Sequence, residues 1–196
     1  MPNALEETTL DALFLSARST HAFTPEPVAD ATLERLYDLL KWGPTSFNAQ
    51  PARYVFIRSA EAKARLLPAL SASNRDKTAR APITAIVAYD SRFYEHLSHQ
   101  LPGAQVAHLF AENAPLAEIT GIRNGTLQGA HLLIAARALG LAVGPMSGFD
   151  QDAINREFFP DGRFRANFLV NIGYADGTVA RPRGPRLSFA DVVQVL

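Results

Sequence analysis

The sequence predicts a fold of the α/β or α+β class. Two observations lead there. Four short apolar segments with strand character, residues 54–57, 83–89, 141–145 and 164–172, are separated by stretches of helical periodicity. The 196 residues, 47% hydrophobic and 19% charged, suit one domain or at most two small ones.

Residues 8–17 read as a helix with Leu10, Leu13 and Phe14 on one face. Arg18 to Phe23 follows, and Thr24-Pro25-Glu26-Pro27 stops regular structure. Asp30 is a favourable N-cap for a second helix reaching about Trp42, with Leu33, Leu36, Tyr37 and Leu40 as its stripe. Gly43-Pro44 ends that helix, and a polar loop runs on to Pro51. After the strand at 54–57 come a short helix over 60–70 and a polar stretch over 71–80 with a helical turn. The strand at 83–89 is largely apolar, as expected of one buried on both faces. Residues 91–112 carry no single period.

Asn113 caps a long helix, with Pro115 in its first turn and Gly140 as its C′ residue. Its length is about 26 residues, or about 39 Å. Gly121, Gly125 and Gly129 recur four apart on one face. Each costs about 1 kcal/mol relative to alanine. Such a stripe predicts another backbone, or a flat ligand, close against it. The strand-like residues 141–145 lead into the turn Met146-Ser147-Gly148-Phe149, and Asp150 caps a helix to about Phe158. After the last strand, a basic tail carries Arg181, Arg183 and Arg186, and residues 188–193 close as a short amphipathic piece.

Nineteen basic residues balance nineteen acidic ones, so no positive field is available to hold nucleic acid or an anionic membrane. The absence of cysteine excludes disulfides, thiolate metal sites and thiol nucleophiles. The first residues do not look like a signal peptide, no apolar run approaches a bilayer span, and a cytoplasmic location is the default. No two glycines lie two apart, so the G-x-G-x-x-G fingerprint is missing, and no Gly-Lys pair exists for a P-loop. Pro145 stands where a hydrolase elbow at Ser147 needs glycine. His96 and His99, beside Glu95, lie in a Ser- and Gln-rich stretch and read as solvated surface rather than metal ligands. No nucleophile–base pair and no paired carboxylates stand out. If the chain is an enzyme, a cofactor carries the reaction.

Three polar stretches are candidates for binding. Arg18-Ser19-Thr20-His21 offers a guanidinium, two hydroxyls and an imidazole, a set suited to phosphate, though an ordinary capped loop would look the same. Pro44 to Pro51 mixes donors and acceptors as a heteroaromatic edge requires, though Asn48 and Gln50 also suit a self-bonded turn. The arginine tail suits an anion clamp or a solubilising terminus.

Together these stretches resemble the nitroreductase family of flavoproteins. That family opens on R-x-S-x-[RK]-x-F and follows with P-[ST]-x-x-N-x-Q-P; here the stretches read ARSTHAF and PTSFNAQP. A long helix, a Gly-Pro turn and a basic C-terminal segment follow in the family's order. Within the family, KWGPTSFNAQPARYVFIR, ALSASNRDKTARAPITAIVAYDSRFYE, ALGLAVGPMSGFD, NIGYADG and PRLSF are similar to the malonic semialdehyde reductases of pyrimidine degradation.

The resemblance implies one α+β domain over residues 1–196, with a mixed or antiparallel central sheet flanked by helices. It implies a homodimer with FMN at the interface, held by both chains, and the glycine-striped helix packed across the dimer. Arg18, Ser19 and His21 would lie near the FMN phosphate and ribityl chain, and Arg183 and Arg186 would close on the phosphate, with Arg181 in the same tail. Thr45, Ser46 and Asn48 would line the isoalloxazine, with Pro44 among the cofactor-binding residues of the same loop, and Asn74 would bond the ring's polar edge. Pro145, Met146, Ser147 and Gly148 would lie near N5, largely through backbone. Two departures stand out. The family's first arginine falls on Ala17, and its later basic residue is His21, so phosphate binding leans on Arg18 and the C-terminal arginines. Ser147 stands where many members are acidic.

The implied chemistry is ping-pong hydride transfer from NAD(P)H through FMN to malonic semialdehyde, with no metal and no side chain assigned as acid or base. A nitroaromatic, quinone or enone reductase, a non-catalytic flavin-binding protein and a cofactor-free interaction module are the alternatives.

Overall fold

In the computed structural model, residues 4–103, 105–177 and 182–196 are described. The elements in chain order are α1 (Glu7–Leu10), continued by a wider helical turn over Asp11–Leu15, α2 (Asp30–Leu40), β1 (Ala52–Ile57), α3 (Ala60–Leu66), α4 (Ala72–Arg80) and β2 (Ile83–Asp90). Then come α5 (Leu97–Gln100), α6 (Ala107–Ala111), α7 (Ala114–Ala138), β3 (Ala142–Met146), α8 (Gln151–Phe158), β4 (Phe164–Gly173) and α9 (Phe189–Val192).

The four strands form one sheet in the order β1-β2-β4-β3, and every neighbouring pair is antiparallel. Helices lie on both faces, so the class is α+β. Strand β2 is central and buried along its whole length. Its alternate side chains serve two cores, as a period of two dictates. Ile83, Ala85 and Val87 pack with Val170 and Ile172 beneath α2 and α7, against Leu36, Leu40 and Leu132. Ile86 and Ala88 pack on the other face with Leu66, Leu70, Ile154 and Leu169. Each large aliphatic side chain buried in this way contributes about 1.5–3 kcal/mol. A buried polar chain threads the second face: Thr84 Oγ1 donates to Asn171 Oδ1 at 2.7 Å, and Asn171 Nδ2 donates to Thr78 Oγ1 at 3.1 Å. It ties α4 to β2 and β4 without leaving these polar groups unpaired.

Helix α7 has the ends its sequence signals. Asn113 Oδ1 accepts from the Leu116 amide at 3.1 Å, and Gly140 takes φ +77°. The glycine stripe corrects two expectations. It faces this chain's own sheet rather than a second chain, a foreign backbone or a flat ligand. A Cβ at Gly121 would lie 2.9 Å from Tyr89 Cδ2, and one at Gly129 would lie 2.3 Å from Phe168 Cζ. The aromatic rings of β2 and β4 rise toward the helix, and glycine lets the axis approach them. The opposite side of α7 leaves Leu116, Ile119, Ile122 and Leu127 exposed.

Other differences are local. Ala29 rather than Asp30 occupies the N-cap of α2, and the Asp30 carboxylate pairs instead with Arg58 at 2.7 Å. Helix α2 also stops at Leu40, two residues before Trp42. Residues 71–80 hold the whole of α4 rather than a turn. Among the described residues, no helix is long and apolar enough to cross a membrane.

Candidate functional site

Strand β3 is the rail on which the site is laid. Ser19 pairs with Val143 in parallel fashion, and the Thr20 amide donates to the Val143 carbonyl at 2.9 Å. The segment over residues 18–21 therefore runs beside β3. Its approach is so close that a Cβ on Gly144 would lie 2.3 Å from the Thr20 oxygen. A cleft of about 420 Å³ opens here, lined by Arg18, Ser19, His21, Arg137, Val143 and Asp176 among others. An adjoining cleft of about 360 Å³ shares Arg18, Ser19, His21 and Arg137 and adds Arg183 and Arg186.

The guanidinia gather at the C-terminal end of the first helix, where carbonyls lack helical partners. Arg18 donates to the Leu15 and Ala17 oxygens at 3.0 and 2.9 Å. Arg183 donates to the Phe14 and Ala17 oxygens at 3.2 and 3.1 Å, and also to the Leu15 oxygen. Arg137 donates to the Leu13 oxygen at 3.4 Å. Burial, and then the charge of Arg183, hold the Arg137 pKa below its ordinary value. Among the described residues, Arg18, Arg137, Arg183 and Arg186 form no ion pair. Converging cations that pair with no carboxylate among the described residues make a site for an anion, and forked guanidinia suit phosphate best.

From Val143 to Met146 the strand advances about 10 Å. At its far end, the Gly148 oxygen accepts from the Ser71 amide at 3.0 Å and from Asn74 Nδ2 at 2.9 Å. Asn74 is thus drawn to the turn from α4, and it is only 6% exposed. Met146 turns its sulfur toward Thr78 Oγ1, at 3.6 Å. Pro145, Ser147 and Gly148 stay exposed.

The loop over residues 44–51 is built separately, on the middle of α7. Asn124 Oδ1 accepts from the Ser46 amide at 2.8 Å, and Gln128 Oε1 accepts from the Ala52 amide at 2.9 Å. Thr45 Oγ1 accepts from the Gln50 amide at 3.2 Å, and Asn48 Nδ2 donates to the Gln100 oxygen at 2.9 Å. Phe47, Asn48 and Gln50 have φ of 55°, 52° and 41°. Three left-handed residues other than glycine store strain that the surrounding bonds must hold.

The structure therefore gathers the predicted residues in two places. Arg18, Ser19, His21, Arg183 and Arg186 share the clefts beside β3, and Asn74 joins Pro145, Met146, Ser147 and Gly148 at the strand's other end. Pro44, Thr45, Ser46 and Asn48 line neither cleft. Asn124 and Arg137 are thirteen positions apart on α7 by their numbers, which is about 20 Å along its axis. Arg181 lies outside the described residues. Sequence reasoning missed Arg137, Asn124 and Gln128. The last two left a faint signal, as amides one turn apart beside the glycine stripe. Arg137 looked like an ordinary basic residue in a last turn. His96, read as solvated surface, is exposed but leans on the buried Asp90 carboxylate at 3.7 Å, in a cluster with Arg163.

Comparison with known proteins agrees with this architecture. The Nitroreductase family model matches residues 15–174. A Rhodopseudomonas palustris protein named "Putative NADH dehydrogenase/NAD(P)H nitroreductase" is 51% identical over 196 residues, covering 100% of both chains. A Polynucleobacter asymbioticus protein of the same name is 48% identical over 196 residues, again covering 100% of both. Among solved structures, a Bacillus subtilis protein described as a "putative nitroreductase" superposes with a TM-score of 0.88 at 22% identity, covering 97% of this chain and 100% of that one. An Exiguobacterium sibiricum protein, described as a "putative nitroreductase in complex with FMN", gives 0.86 at 21% identity, covering 100% and 99%. At such identities the solved structures speak for the fold alone. With a family match over most of its length and relatives near half identity, the chain belongs to the nitroreductase family.

Proposed function

We propose that the protein is an FMN-dependent NAD(P)H oxidoreductase that works as a homodimer and reduces malonic semialdehyde to 3-hydroxypropionate. The observation that carries the cofactor reading is the arginine-lined cleft beside β3, with a polar turn at the strand's other end. The donor set fits FMN. Guanidinia outside any ion pair among the described residues suit a phosphate dianion, and an amide with exposed backbone suits the edge of a heteroaromatic ring.

Arg18, Ser19, His21, Arg183 and Arg186 would hold the phosphate end. Asn74 would meet the polar edge of the ring. The backbone of Pro145, Met146, Ser147 and Gly148 would form the wall beside it, since Met146 turns its sulfur away toward Thr78. When bound, FMN supplies a two-electron carrier between NAD(P)H and the second substrate. No side chain is assigned as acid or base; water or a nearby hydroxyl would supply the proton that turns the alkoxide left by hydride addition into the alcohol.

Three observations support a homodimer. Pro44, Thr45, Ser46 and Asn48 sit on a loop anchored about 20 Å along α7 from Arg137, where a second copy's site could receive them. Leu116, Ile119, Ile122 and Leu127 leave an apolar side of α7 in water. Leu187, Phe189, Val192, Val193, Val195 and Leu196 do the same in the C-terminal segment. Apolar surface left exposed on this scale favours association.

The names of the relatives support NAD(P)H as reductant. The choice of malonic semialdehyde rests on the sequence stretches that resemble that branch of the family. The test is NAD(P)H oxidation by FMN-loaded and FMN-stripped protein, with the product identified by NMR. Turnover of malonic semialdehyde to 3-hydroxypropionate by the loaded form alone is expected. Turnover of nitroaromatics, quinones or enones without malonic semialdehyde would make it a general reductase. FMN binding with no NAD(P)H oxidation would make it a flavin-binding protein.

A further inference from the structure

We propose that Arg137 is a phosphate anchor of the cofactor site, an inference that rests on the FMN reading. Arg137 comes from the last turn of α7 and lines both clefts, whereas Arg183 and Arg186 line only one of them. It is half-buried, while Arg18, Arg183 and Arg186 are exposed. A charge withdrawn from water acts more strongly on a nearby anion and is less screened by salt.

Its bonding leaves room for that anion. A guanidinium has five N–H donors. Among the described residues, that of Arg137 makes one hydrogen bond, to the Leu13 oxygen at 3.4 Å, and no ion pair. The carboxylate of Asp176 lines the wider cleft, and no other carboxylate lines either cleft among the described residues. Burial and the neighbouring Arg183 both disfavour the Arg137 cation, and an incoming dianion would relieve that. The rival role is packing alone, with Arg137 pinning the first helix to α7 through Leu13. That role is indifferent to whether a ligand carries a phosphate.

The test uses flavin-stripped full-length protein titrated with FMN and with riboflavin, which lacks the phosphate. Arg137→Met is expected to weaken FMN about 10- to 100-fold, as loss of a charged hydrogen bond would. Riboflavin affinity should stay within about twofold of the wild type, because its ring contacts are untouched. Ala17 lines both clefts as well, so Ala17→Arg added to Arg137→Met should restore FMN preference. If Arg137→Met fails to fold, Arg137→Lys is read instead; it keeps the charge, loses the fork and should weaken FMN alone. Equal loss of both flavins, or no loss of FMN, would overturn the role of Arg137 while the FMN reading stands. Wild-type protein that binds neither flavin would remove both.

Discussion

Gly144 shows how tightly the wall of the proposed cofactor cleft is drawn. A methyl group there would meet the Thr20 carbonyl, which is backbone and cannot rotate aside. Gly144→Ala should force β3 and the Ser19 segment apart, costing about 1–3 kcal/mol in chemical denaturation. It should also weaken FMN, since Arg18, Ser19 and His21 ride on that segment. Gly162→Ala, outside both clefts, is the control. Nothing lies within 4 Å of its Cβ position, but φ is +70°. It should cost stability through backbone strain and leave flavin affinity unchanged. Unchanged stability and affinity in Gly144→Ala would contradict the packing described here.

At the scale of elements, legibility depended on where the information sat. The burial of β2 on both faces, the caps of α7 and α8 and the stop at Gly140 were readable, because each follows from neighbours within a few residues. The glycine stripe was readable as a close approach but not as an approach to Tyr89 and Phe168, which folding brings from other parts of the chain. Residues 91–112 defied periodicity because they fold as short pieces, Phe93–His96, Leu97–Gln100 and Ala107–Ala111. Tertiary contacts hold them, such as the Phe93 and Phe110 rings 5.1 Å apart between centroids. The same division runs through the site. Arg18, Ser19 and His21 sit in a local motif that marks them as candidates, and the fold places them together beside β3. Arg137, Asn124 and Gln128 gain meaning only from where a helix of 25 residues delivers them.

For the whole molecule, the division of the candidate residues between the β3 clefts and the α7-anchored loop is the main argument for two copies. A single chain offers an arginine-lined cleft and a polar turn, and it holds a second polar loop elsewhere. Sedimentation of the purified protein should give a mass twice that of the 21.3 kDa chain. A monomer with full flavin affinity would show that the loop over residues 44–51 takes no part in binding. The central claim is simpler, that this fold holds a flavin which NAD(P)H reduces. The visible spectrum of the purified protein, before and after anaerobic NADH, tests it most directly. Flavin bands that bleach on addition of NADH are the predicted result. A colourless protein that cannot be reconstituted with FMN would contradict the account.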